Sequence, residues 1–209
     1  MKSYSLICHM LLSMDGRVTG QYLEREDCKP YIEDYYQILE AYQGNNWICG
    51  RATFAEFVPL VSELDLQAFA GQTVKRQDFI ADEAATSFAI ALDPSGKLAW
   101  GSSTIGEEFP ERHGDHVVTI LSETVSDAYL AYLQSVGVSY IFAGQNRDLD
   151  VQLILEKLQR YFQLETFYLL GGGIINGAFA KAELIDEVSL VLAPLIEGNS
   201  DTRAWRSGL

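Results

Sequence analysis

The stretch Phe167-Tyr168-Leu169-Leu170-Gly171-Gly172-Gly173-Ile174-Ile175-Asn176-Gly177-Ala178-Phe179 decides how the chain is read. An apolar, aromatic-rich run meets three consecutive glycines, and an apolar helical pattern follows. The run predicts a buried strand, the glycines a tight turn, and the remainder a helix whose first N–H groups have no acceptor. Those amides and the helix dipole attract an anion. Bare backbone also lets a ligand approach closer than any Cβ permits. The stretch therefore predicts a cradle for a pyrophosphate. It is not the full G-x-G-x-x-G fingerprint: Gly171 and Gly173 fit, but Asn176 stands at the third glycine. No Walker lysine follows, so it is not a P-loop. The alternative is a plain strand-to-helix turn, which leaves the extra chain entropy of three glycines unexplained.

Outward from this stretch, strands and helices alternate. Residues 4–12 are apolar with few breaks, which predicts a strand buried on both faces. Ser13-Met14-Asp15-Gly16-Arg17 follows as a turn with an Asp-Gly signal. Pro30 opens a helix over residues 31–42. Trp47-Ile48-Cys49 is a short strand, and Gly50-Arg51-Ala52-Thr53-Phe54 turns it into a second helix that ends before Pro59. Residues 61–78 read as loop with some helix. Residues 87–92 and 97–100 read as strands around an Asp93-Pro94-Ser95-Gly96 turn. A strand over 116–121, a helix over 126–136, a strand over 139–143 and a helix over 148–162 precede the glycine stretch, and a strand over 187–193 follows its helix. This alternation predicts an α/β fold with a mostly parallel sheet.

At 209 residues the chain is expected to form one domain over 1–198, with 199–209 as a C-terminal tail. Its hydrophobic content of 48% and charged content of 21% suit a globular protein. The net charge of −14 and the lack of a Lys/Arg cluster speak against a nucleic-acid partner or an anionic membrane surface. Cys8, Cys28 and Cys49 form no C-x-x-C pair; Cys8 and Cys49 sit in apolar runs and read as buried small hydrophobes, and the odd, low count points to a reducing, cytoplasmic setting. The N-terminal apolar run is broken by His9 and reads as a strand, not a signal peptide. His9, His113 and His116 have no metal-ligand spacing, so no metal is expected.

Three motifs occur in one order: Ser13-Met14-Asp15-Gly16-Arg17, Gly50-Arg51-Ala52-Thr53-Phe54, and Leu169-Leu170-Gly171-Gly172-Gly173 with Phe179, Ala182, Leu184, Asp186-Glu187 and Ala193-Pro194 behind it. Together they resemble the dihydrofolate reductase-like superfamily over about residues 4–198. The resemblance is closest to the reductase domain of riboflavin biosynthesis. It implies a three-layer α/β/α fold with a mostly parallel mixed central sheet, NADPH across the strand ends, a small-molecule substrate and a homodimer. Carried over by position, Gly171, Gly172, Gly173, Ile174, Ile175 and Asn176 would hold the pyrophosphate. Gly50, Arg51 and Thr53 would form a second phosphate site. Ser95 and Ser122 would lie on the adenosine side, and backbone at Leu11 and Leu12 would face the nicotinamide. Two positions depart from the riboflavin pattern. Leu170 stands where a substrate-touching glutamate is common, and Phe57 stands near the place of an aspartate.

Hydride transfer needs a positioned cofactor, excluded water and a proton source more than a nucleophile. Asp15, at the end of the first strand, and Asp34, on the first helix, are the candidate catalytic acids, with Glu33 beside Asp34. Asp15 could equally cap its own turn, and Asp34 could lie on a solvated helix face. Arg51 at a helix start opposes the dipole unless an anion binds, or else pairs with an acid such as Glu56. Three functions fit: an NADPH-dependent reductase of a small heterocycle or imine, a dihydrofolate reductase proper, and a catalytically silent nucleotide-binding module. Turnover with candidate pterins and pyrimidines separates them.

Overall fold

The computed structural model describes residues 4–58, 60–61 and 64–199. The expected tail, apart from Asn199, lies outside them. Two compact units emerge from the contacts, one of residues up to 44 together with those from 166 on, the other of residues 45–165.

In the first unit, β1 (Ser5–Ser13) is the central strand, with β6 (Thr166–Gly171) on one side and β7 (Glu187–Ala193) on the other, both parallel to it. β1 has a hydrogen-bonded neighbour on each edge and is buried along nearly its whole length, as its apolar run predicts. Helix α1 (Lys29–Ala41) starts with Pro30 in its first turn and packs on β1 and β7. His9 fixes that packing. Its ring is stacked on Tyr35 at 4.4 Å, and Nε2 lies 3.0 Å from the Tyr35 carbonyl. A carbonyl only accepts, so Nε2 carries the proton and Nδ1 accepts from Ser189 Oγ at 2.9 Å. Helix α5 (Gly173–Lys181) joins β6 to β7.

In the second unit four strands run parallel in the order β5 (Ser139–Phe142), β4 (His116–Leu121), β3 (Phe88–Leu92) and β2 (Asn46–Gly50). β3 and β4 are buried at every position. Helix α2 (Arg51–Phe57) follows β2 directly, and α3 (Asp127–Val136) and α4 (Val151–Phe162) flank β5 in sequence. α3 is capped by Ser126 and closed by Gly137 in the left-handed region at φ 78°. α4 buries Ile154, Leu155 and Leu158, each worth about 1.5–3 kcal/mol of transfer free energy.

The fold is the α/β, dihydrofolate reductase-like class expected from the sequence, and every described strand ladder is parallel. One expected element is absent. Residues 97–100 do not form a strand. The hairpin they would complete needs a free edge of β3, and β2 and β4 occupy both edges. Leu98 and Trp100 are buried instead as an irregular segment, with the Trp100 indole N–H donating to Thr119 Oγ1 at 3.0 Å.

Candidate functional site

The glycine stretch folds as predicted. β6 ends at Gly171, Gly172 is the N-cap, and α5 begins at Gly173. Gly171 has φ 115°, a region L side chains rarely adopt, and an added Cβ would sit 3.3 Å from Met10 Cε. Gly172 differs: φ −80° and ψ −176° is extended backbone open to any residue. A left-handed backbone is therefore not what calls for glycine at this position. No side chain caps α5. The Gly172 carbonyl accepts from the N–H groups of Ile175 and Asn176 at 2.9 and 3.1 Å. The amides of the first turn before them have no carbonyl within the helix to reach. Ile174 is exposed beside them.

Asn176 carries the clearest sign of a missing partner. Its side chain is only 1% exposed, and neither Nδ2 nor Oδ1 has a hydrogen-bond partner within the protein. A buried amide left unpaired is costly, so such groups are nearly always satisfied by protein, water or ligand.

The same unit contains the Leu11–Leu12 backbone. The β1–β6 ladder ends at Cys8 opposite Leu169, while β1 continues to Ser13 against β7. Leu11 and Leu12 thus lie where β6 has left for the glycine turn, and their ladder partners are Val191 and Leu192. Asp34 lines an open groove of about 450 Å³ with Tyr31, Gln37, Ile38 and Ala41 of α1 and Leu190, Val191 and Leu192 of β7. The structure therefore brings Asp34 to the strand adjoining Leu11 and Leu12. Glu33 is exposed and does not line this groove.

Asp15 is engaged elsewhere. Oδ1 accepts from Ser13 Oγ at 2.6 Å and from the Glu197 N–H at 3.1 Å, and Oδ2 accepts from the Gly198 N–H at 3.1 Å. These bonds, the Ser13 hydroxyl foremost, hold its carboxyl down to about 2. Asp15 ties the turn after β1 to the segment after β7. Glu197 makes a second tie by accepting the Tyr22 N–H at 2.9 Å.

The second unit carries the other candidates. Gly50 is the N-cap of α2, Arg51 is its first residue and half-exposed, and Thr53 is half-buried. Ser95 is half-buried in the turn after β3. Ser122 is fully buried, and its hydroxyl donates to the Pro94 carbonyl at 2.7 Å, so it braces the Ser95 turn from beneath. Sequence reasoning passed over Asp93, treating it only as a turn residue. It is fully buried. Oδ2 accepts from the N–H groups of Lys97 and Leu98, and Oδ1 has no hydrogen bond but lies 3.9 Å from Arg51 Nε. Burial raises its pKa, against the pull of those N–H groups and of Arg51. An aspartate ending a buried strand just before a turn was the available signal.

His116 is a satisfied core residue. Its Nε2 lies 2.8 Å from Ser139 Oγ, and burial lowers its pKa. Among the described residues no group of His, Cys, Asp and Glu is placed to hold a metal ion, and the three cysteines are buried and unbridged.

The family model of the RibD C-terminal domain matches residues 4–208. Solved structures similar to this one include the riboflavin biosynthesis reductase of Saccharomyces cerevisiae, at 11% identity and TM-score 0.61, covering 100% of this chain and 81% of that one. A pyrimidine reductase-like protein of Corynebacterium diphtheriae matches at 15% identity and TM-score 0.62, covering 97% and 79%. RibD of Acinetobacter baumannii matches at 19% identity and TM-score 0.60; it covers 98% of this chain, which spans only 49% of that protein. No curated protein sequence matches the chain. At these identities the structures establish a shared fold, and the family model, which spans nearly the whole sequence, establishes kinship: the chain belongs to the RibD C-terminal domain family.

Proposed function

We propose that the protein is an NADPH-dependent oxidoreductase. It would transfer a hydride to a small heterocyclic or imine-type substrate, similar to the 5-amino-6-(5-phosphoribosylamino)uracil reductase of riboflavin biosynthesis. The observation that carries this reading is the uncapped start of α5 with Gly172 at its N-cap and the unpaired, buried Asn176 in the same turn. The residues fit a dinucleotide. Gly172, Gly173 and Ile174 would offer backbone N–H groups to a pyrophosphate, Ile175 would line the same turn with its own N–H held by the Gly172 carbonyl, and the Asn176 side-chain amide has both a donor and an acceptor to give. Gly50, Arg51 and Thr53 offer a second anion contact, with Ser95 on the adenosine side and Ser122 fixing that turn.

The nicotinamide cofactor, when bound, supplies the hydride. The chain's part is binding and placement. The Leu11–Leu12 backbone, released from β6, offers peptide groups to a planar ring. Asp34 in its groove is the acid placed to accept from substrate N–H groups or to pass a proton through water. Asp15, held ionised, orders the loop beside them and does not act as an acid at neutral pH. Leu170 in place of a glutamate removes one polar contact that the riboflavin pyrimidine would use. A homodimer is part of it, supported by the exposed Val188, Leu190 and Leu192 on alternate positions of β7.

The test is a thermal melt with NADPH, with NADH beside it, on the wild type and on Gly172→Val. At a hundredfold excess over Kd a ligand adds about 2.7 kcal/mol, which is a rise of about 5–10 °C for a chain of this size. We expect the rise with NADPH in the wild type and none in the variant. A wild type that responds to neither nucleotide, or a variant that responds as the wild type does, would overturn the reading. Binding of NADPH without turnover of any pterin or pyrimidine would favour the silent module.

A further inference from the structure

We propose that Asp93 is a positioning residue for Arg51: the one uncommitted oxygen of its buried carboxylate holds the guanidinium by its Nε side, so that the terminal amino groups are presented to a phosphate monoester, the group that distinguishes NADPH from NADH. The inference rests on the cofactor reading above and adds a residue and a role to it.

Four observations lead there. Asp93 is fully buried, so it cannot itself touch a ligand. Its Oδ2 is occupied by the Lys97 and Leu98 N–H groups, which fixes the plane of the carboxylate. Oδ1 has no hydrogen bond and points toward Arg51 Nε at 3.9 Å. Arg51 is about half-exposed, with a side-chain accessibility of 48%, and stands at the first position of α2, where the helix dipole disfavours a cation. A buried carboxylate facing that cation offsets the dipole and restrains a side chain that otherwise has large rotamer freedom. Contact through Nε leaves the Nη1–Nη2 edge of the guanidinium, one that can bind phosphate bidentately, outside that contact. Tyr129 braces the same turn: its hydroxyl donates to the Leu98 carbonyl at 2.8 Å, and burial first, with the Asp93 charge after it, raises its pKa.

The test measures dissociation constants for NADPH and NADH with wild type, Asp93→Asn, Arg51→Ala and the double variant. Asparagine keeps an acceptor for the Lys97 and Leu98 amides and removes the charge. We expect Asp93→Asn to weaken NADPH about 10-fold while changing NADH less than about 2-fold, and the double variant to bind no worse than Arg51→Ala alone, as coupled neighbours do. Unchanged or tighter NADPH binding in Asp93→Asn, an equal loss for both nucleotides, or additive losses would each overturn the inference and leave the cofactor reading standing. A wild type that binds neither nucleotide overturns both. If Asp93→Asn does not fold, the Arg51 Nε–H of the ligand-free wild type decides. Held by Asp93, it exchanges with water about 10-fold or more slowly than that of Arg147, an exposed arginine with no ion pair among the described residues. Equal exchange rates sink the proposal.

Discussion

Gly171 and Gly172 are adjacent and chemically identical, yet their backbones assign them different work. Gly171, at φ 115°, is required by conformation. Gly171→Ala is expected to cost about 1–3 kcal/mol of stability, read as a lower urea midpoint, whether or not nucleotide is present. Gly172, at φ −80°, is not required by conformation; on the proposed function its part is to let a ligand approach. Gly172→Ala is expected to leave the midpoint within about 1 kcal/mol and to weaken NADPH. If Gly172→Ala destabilises as much as Gly171→Ala, the cradle argument loses its force. Asp15 makes a prediction in pH. Its folded pKa, about 2, lies below the ordinary aspartate value of 3.8, so its contribution to stability is present above about pH 4 and is lost as pH falls toward 2. Asp15→Asn should be less stable than wild type at pH 7, and the gap should close between pH 4 and pH 2 in urea unfolding. A gap that stays constant would mean the charge is not the cause.

Elements here are set by their ends and by their neighbours. Ser126 accepts the Tyr129 N–H at 3.3 Å at the start of α3, and Ser126→Ala is expected to cost about 1 kcal/mol in thermal unfolding. α4 is held to β5 by more than its apolar stripe. Lys157 Nζ donates to the Phe142 carbonyl at 2.8 Å and pairs with Asp78 Oδ2 at 2.8 Å, and Asp78 also accepts from the Phe142 N–H and the Tyr161 hydroxyl. Lys157→Met removes the cation and leaves the nearly buried Asp78 charge behind, at an expected cost of about 1.5–3 kcal/mol. A loss below about 0.5 kcal/mol would place this pair with ordinary surface ion pairs. Residues 97–100 show the converse. Their local pattern favours a strand, but β3 has no edge to give them.

At the scale of the whole molecule, a chain of net charge −14 would work against its own field in taking up the anionic nucleotide of the proposed function. On that proposal binding would come from local donors: helix starts, the Asn176 amide and Arg51. NADPH affinity should therefore rise, not fall, with added salt up to about 0.15 M, since salt screens the long-range repulsion first. A steep loss of affinity over that range would point to a basic binding surface instead. The proposed homodimer would use the exposed Val188, Leu190 and Leu192. On that proposal Leu190→Glu is expected to sediment as a monomer where the wild type sediments as a dimer, and an unchanged sedimentation coefficient would exclude β7 from the interface.

Much of this protein is legible one residue after another. The periodicities of α1, α3, α4 and α5, the unbroken apolar runs of β1, β3 and β4, the capping residue Ser126 and the glycine turn at 171–173 all follow from local rules, because each is decided within a few residues of chain. The kinship was legible for the same reason: its motifs are short runs at the ends of β1, β2 and β6. Other features exist only in three dimensions. Asp15 is committed by amides 182 and 183 residues away, which no local pattern displays. Asp93 meets Arg51 only because β2 and β3 lie side by side in register, Gly50 opposite Leu92. Burial likewise decides that Ser122 braces a turn and that the amide of Asn176 is left without a partner, since whether a polar group is satisfied depends on everything packed around it.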